Sequence, residues 1–226
     1  MRRHLCLFIF LLSLLSIQAQ NKVLMPTTIR EANETEKVLS KPNSQFAFLS
    51  FPSFALWGFK GLSFDYASMT LTLRITREPT TKEYDTNPYY PWHNQYELKV
   101  DKIMADALFS LFTAAIYSAS SIVDYSLVMD GCLYIFQIGG MYKGITRSPD
   151  TESNCGRLVK IAEKVCQCVK DQDKASLKSL LNKIYALTDI FVSHYPSEVP
   201  EAQWKIYEIH KKYKVKGPSV GLEFKQ

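Results

Sequence analysis

The chain has 226 residues, of which 46% are hydrophobic, 13% aromatic and 22% charged, with a formal net charge of +5. This balance excludes a disordered tail, a collagen-like repeat and a large multi-domain assembly. It leaves one globular domain with enough apolar material for a core.

Residues 1–19 have the organisation of an export signal. Arg2 and Arg3 precede an apolar run of 13 residues from Leu5 to Ile17, and Ala19 offers a small residue for cleavage. The mature chain is therefore expected to begin at Gln20, in the periplasm or outside the cell. The run is too short to span a bilayer, and no stable membrane insertion is expected after cleavage. Cys6 lies near the start of the run, so it does not read as a lipid anchor. Without residues 1–19 the net charge is +3, and the six Lys and two Glu from Lys205 to Gln226 leave residues 20–204 at −1. On an exported protein such a basic end suits an acidic partner or an anionic surface better than nucleic acid. It equally suits a solvated helix end, with Glu201–Lys205 and Glu208–Lys212 as favourable i,i+4 pairs.

Gln20 to Gln45 is polar and reads as a leader or a short exposed helix, with one glycosylation sequon at Asn33-Glu34-Thr35. The domain is expected to occupy residues 46–226. Phe46 to Phe59 is dense in rings, broken by Pro52 and Gly58 into short extended pieces that cover a core. In Met69–Arg77 the residues Met69, Leu71, Leu73 and Ile75 alternate with Thr70, Thr72, Arg74 and Thr76. That alternation predicts a strand with one face on the core and one in water.

An eighteen-residue loop is expected from Glu78 to Gln95, followed by a short strand from Tyr96 to Val100. Long loops in compact domains are often functional, and the stretch from Tyr84 to Tyr96 gathers Tyr84, Tyr89, Tyr90, Trp92, His93 and Tyr96, with Pro88 and Pro91 among them. Tyrosine and tryptophan combine an apolar body with a polar tip and are enriched at binding hot spots. Tyr89, Tyr90, Trp92, His93 and Tyr96 are the candidate binding residues, unless the loop folds back over the sheet edge.

Ile103 to Ala119 predicts a helix buried on several sides. Its polar residues Asp106, Ser110, Thr113, Tyr117 and Ser120 trace one narrow stripe. Asp130-Gly131 predicts a hairpin that pairs Ile122–Met129 with Cys132–Ile138 and places Cys132 on its core side. Gly139-Gly140 turns the chain again into Met141–Arg147, making a meander. Asn154 to Lys170 predicts a helix with Leu158, Ile161, Ala162, Val165 and Val169 along one face. Lys174 to Tyr195 predicts another, with Asp173 as N-cap and Pro196 as its stop. Pro200 to Tyr213 predicts a shorter third. Strands, one helix, a hairpin and further helices, in that order, predict an α+β domain with an antiparallel sheet packed on a buried central helix.

Four cysteines lie beyond residue 19. Cys155 and Cys166 sit eleven residues apart on one helix, about 16 Å, while a disulfide needs Cα atoms within roughly 7 Å. Cys166 and Cys168 point to different sides of it. Any internal disulfide must then join Cys132 to one of Cys155, Cys166 or Cys168. No CxxC pair is present, and no metal site or other cofactor is expected.

Catalytic signatures are incomplete. Gly217-Pro218-Ser219-Val220-Gly221 matches a nucleophile elbow, yet no Asp or His follows Ser219. Gly139 to Gly144 lacks the Lys-Ser/Thr of a phosphate loop and reads as a turn. Cys155 near a helix start resembles an activated thiol, but it requires His93 or His194 as its base. The sequence therefore favours an exported binding protein that recognises a protein partner, of inhibitor or immunity type. A glycan-binding protein is the alternative, and a Cys/His hydrolase the third.

Overall fold

The computed structural model describes residues 24–27, 34–40, 44–53, 58–119, 131–139 and 142–194. The expected export signal, the sequon asparagine, the strand Ile122–Met129, the helix Pro200–Tyr213, Ser219 and the basic end lie outside the described residues.

The chain folds as a single α+β domain. Its strands are β1 (Met25–Thr27), β2 (Phe46–Pro52), β3 (Lys60–Asp65), β4 (Thr70–Thr76), β5 (His93–Lys99), β6 (Cys132–Ile138) and β7 (Tyr142–Arg147). They form one sheet in the order β1-β7-β6-β2-β3-β4-β5, antiparallel at every pairing. The helices are α1 (Glu34–Leu39), α2 (Thr81–Thr86), α3 (Lys102–Tyr117), α4 (Asn154–Asp171), α5 (Lys174–Ser179) and α6 (Leu181–Val192).

One face of the sheet carries the main core. Alternate residues of β2, β3, β4 and β6 (Phe46, Phe48, Leu62, Phe64, Leu71, Leu73 and Phe136) point to this face and are inaccessible to solvent or nearly so. Helix α3 packs on β6 and β7 and along α6, and α4 covers β4 and β5. Asp101 caps α3 by accepting from the Met104 N–H at 2.9 Å, and Ser153 caps α4 by accepting from the Gly156 N–H at 3.0 Å. Even the polar stripe of α3 is covered: Asp106, Thr113 and Tyr117 are all buried. Asp106 is partnered there by the Tyr66 hydroxyl and by Lys102 Nζ at 2.8 Å.

The other face is not open water, as the alternation of β4 suggested. Thr70, Thr72 and Thr76 are buried, and a smaller cluster of Leu39, Leu49 and Ile135 forms under α1. Gly61 permits this close approach, because a β carbon there would lie 2.5 Å from the Leu39 carbonyl oxygen. Arg74 ties the same face together, donating to the Val38 carbonyl at 2.7 Å and to Gln95 at 2.9 Å. In its described parts, the segment expected as a polar leader is thus built into the domain. β1 extends the sheet beside β7, and α1 closes its second face.

The hairpin across Asp130-Gly131 needs correction. Strand β6 is already paired on both edges, by β2 and by β7, which leaves no edge for Ile122–Met129. The β6–β7 half of the expected meander does form. Helix α4 is continuous from Asn154 to Asp171, but the segment from Lys174 onward is two helices that meet at Leu180. Among the described residues no helix is long and apolar enough to cross a membrane.

Candidate functional site

The aromatic loop hangs from the edge of the sheet, between β4 and β5. It is shorter than the sequence suggested, because β5 begins at His93 and a helical turn, α2, stands inside it. Thr80 and Glu83 form a capping box at the start of α2: the Glu83 N–H donates to Thr80 Oγ1 at 3.4 Å and the Thr80 N–H to Glu83 Oε2 at 2.9 Å. Thr80-x-x-Glu83 was the sequence signal for this turn, hidden inside what looked like unstructured chain.

Arg77 fixes the loop to the sheet. Its guanidinium forks onto the Glu83 carboxylate at 2.6 and 2.9 Å, and its backbone N–H donates to the Trp92 carbonyl at 2.8 Å. Hydrogen bonds from Arg77 and the Thr80 backbone hold the Glu83 carboxyl down at about 2. Asn87 shapes the tip, accepting from the Tyr89 N–H on its side-chain oxygen at 3.2 Å and from the Tyr90 N–H on its carbonyl at 3.2 Å. Both ends of the rim are therefore anchored.

This backbone sorts the five candidate residues into three kinds. Tyr89 is 94% exposed and Tyr90 is 38% exposed, so both rings stand in solvent. Trp92 and His93 are half-buried at the base, with the Tyr90 and Trp92 rings 5.0 Å apart at 59°. Trp92 Nε1 is enclosed without a hydrogen-bond partner. Tyr96 faces Leu73 across the β4–β5 ladder and packs against the main core. Tyr84, on α2, adds another exposed ring at 55%. His93 is pulled below the ordinary histidine value, first by burial and then by the nearby charge of Arg74.

Among the described residues, strand β5 is also an edge of the sheet. The Arg77–Trp92 and Val100–Met69 hydrogen bonds fix which residues face β4. By that alternation the backbone groups of His93, Gln95, Glu97 and Lys99 point outward. Gln172, the left-handed cap residue of α4, covers one of them by donating to the Glu97 carbonyl at 2.9 Å. The aromatic rim thus continues into a sheet edge.

The thiols tell a different story. All four described cysteines are free. Cys155 is fully buried, and burial pushes its thiol up to about 12, the reverse of what a nucleophile needs. Its polar neighbour is Thr146, not a histidine. His194 closes the end of α6 with Nδ1 2.6 Å from the Ile190 carbonyl, and His93 belongs to the aromatic rim. Cys166 and Cys168 are buried on α4, while Cys132 is half-buried with Sγ 3.2 Å from Ser50 Oγ. Among the described residues no cluster of His, Cys, Asp and Glu could hold a metal ion. Compared with known protein families, with curated proteins and with solved structures, the chain matches none of them.

Proposed function

We propose that this chain is an exported binding protein that engages a protein partner through the aromatic rim Tyr84–Trp92. One observation carries the reading. Only four large apolar side chains among the described residues are exposed, and three of them, Tyr84, Tyr89 and Tyr90, share this loop. Scattered exposed rings need no explanation, whereas rings collected on a braced loop suit a hot spot. Pro88, Pro91 and the Arg77–Glu83 fork reduce the ordering entropy lost on docking. Export is supported by the organisation of residues 1–19.

A glycan is the weaker occupant, because the Tyr90 and Trp92 rings are tilted at 59° and offer no flat stacking platform. The test is a photo-crosslinking amino acid at position 89, with exposed position 147 on β7, toward the opposite side of the sheet, as control. The captured protein is then purified and titrated against wild type and Tyr89→Ser. Selective capture at 89, followed by a loss of affinity of tenfold or more in the variant, supports the reading. Equal capture at both positions, or unchanged affinity, overturns it.

A further inference from the structure

A second concave site lies away from the rim. A cleft of about 640 Å³ opens between α4 and the segment that follows β7. That volume is in the range of small-molecule sites. One wall is a single stripe of α4, with Lys160, Glu163, Lys164 and Gln167 at helical spacing. The opposite wall is Tyr134 of β6 with Ser148 and Thr151.

The cleft is built before any ligand arrives. Ser153 Oγ donates to the Asp150 carbonyl at 2.6 Å, and Gly156 presses so close that a β carbon there would lie 1.9 Å from the same oxygen. Residues 150–153 are thereby clamped onto the first turn of α4. At the rim, Ser148 adopts a left-handed φ of 35°, which is strained for a non-glycine residue. It is held there by two bonds to one residue: its hydroxyl accepts from the Cys132 N–H at 2.9 Å, and its own N–H donates to the Cys132 carbonyl at 3.0 Å.

Charge then selects the ligand. Glu163 is paired with Lys60 of β3, so the fold itself neutralises the cleft's only carboxylate. Lys160 is paired only with Glu152, which is 83% exposed, and such a pair is weak. Lys164 forms no salt bridge among the described residues, although its charge also acts on Asp173 past the end of α4. The surplus is positive and lies on one side, with hydroxyls and the Tyr134 ring on the other. Burial, and then a side-chain hydrogen bond with Cys132, raises the Tyr134 hydroxyl above its ordinary value.

We propose that this cleft binds a small organic anion, with its carboxylate, sulfonate or phosphate between Lys160 and Lys164 and its apolar body against Tyr134, Pro149 and Val159. The site is separate from the aromatic rim and stands or falls without it.

The probe is 8-anilinonaphthalene-1-sulfonate, titrated into the full chain by fluorescence, with neutral N-phenyl-1-naphthylamine beside it. One saturable site is expected, with at least tenfold preference for the sulfonate and weakening by added salt. Lys164→Glu should reduce affinity at least tenfold, Lys164→Gln less, and Lys170→Glu, on the same helix outside the cleft, twofold or less. Equal melting temperatures for the three variants confirm that folding is not being read. Non-saturable binding, equal affinity for the neutral probe, or indifference to Lys164→Glu would overturn the proposal. So would loss of the site in Tyr89→Ser, which would place the probe on the rim.

Discussion

The molecule uses its aromatic residues in two ways, and the contrast is chemical. In the core, Phe46, Phe64, Phe112 and Phe136 form a chain of rings 4.9–5.2 Å apart between the sheet and α3, all fully buried. At the rim stand Tyr84, Tyr89, Tyr90 and Trp92, exposed or half-buried. Phenylalanine has no polar atom to satisfy and is used where water is excluded. At the rim, Tyr84, Tyr89 and Tyr90 keep a polar tip in water beside an apolar ring.

Phe112→Ala should give the largest effect, a loss of about 4 kcal/mol in a denaturant titration, because it empties a site between two other rings. Asp106 should come next. Burial raises its carboxyl to about 6 against an ordinary 3.8 and outweighs the exposed Lys102 ammonium, which favours the charged form, so the folded state favours the neutral form. Its stabilising contribution is therefore complete below about pH 4 and lost as pH rises through 6. At roughly 1.4 kcal/mol per unit this amounts to about 2–3 kcal/mol between pH 4 and pH 7.5. Asp106→Asn should flatten that part of the stability profile.

The rim should behave oppositely. Trp92→Ala should weaken partner binding by about 2 kcal/mol, roughly thirtyfold, while lowering stability by about 1 kcal/mol. A stability loss of 3 kcal/mol or more with unchanged affinity would show that Trp92 belongs with the core rings. His93, held below the ordinary histidine value, favours its neutral form in the fold. Its contribution is present above pH 6.5 and lost on acidification, opposite in sign to that of Asp106. His93→Gln should remove that acid-side loss of stability, read as the melting temperature between pH 7 and pH 5. Tyr89→Ser should move stability least, within about 0.5 kcal/mol, since its ring is in water already.

Much of the fold was legible because periodicity reports burial. Strand β4, the buried helix α3 and the cysteine-bearing helix α4 each carry a clean period, and each stands where the sequence put it. The split at Leu180 was invisible because Leu177, Leu180, Ile184, Leu187 and Phe191 remain buried through the break, so the period runs on. Strand β5 was cut short because only Tyr96 and Leu98 face inward from an edge strand whose other residues meet water or the second face. The Asp130-Gly131 signal misled because a turn motif cannot report that both edges of β6 are taken. The rim residues were legible as a composition. Their division into exposed Tyr89, half-buried Trp92 and core-packed Tyr96 depends on Arg77 and Glu83, which no ring count reveals. The second cleft was not legible at all, since Tyr134, Ser148 and Lys164 meet only when β6, β7 and α4 are assembled.

The pairing of β2 with β6 has a kinetic consequence. β2 to β5 form a meander of neighbours, and β6 with β7 form a hairpin, so each piece can condense from nearby chain. Their seam cannot: Ser50 and Cys132, which meet across it, are 82 positions apart. Closing a loop of that length carries an entropic cost that must be met before any seam contact is gained. The nucleus of folding is therefore expected at the Phe48–Phe136 step of the seam, whose rings lie 5.1 Å apart. Trimming either ring should slow refolding more than it speeds unfolding, while trimming Leu73 should do the reverse.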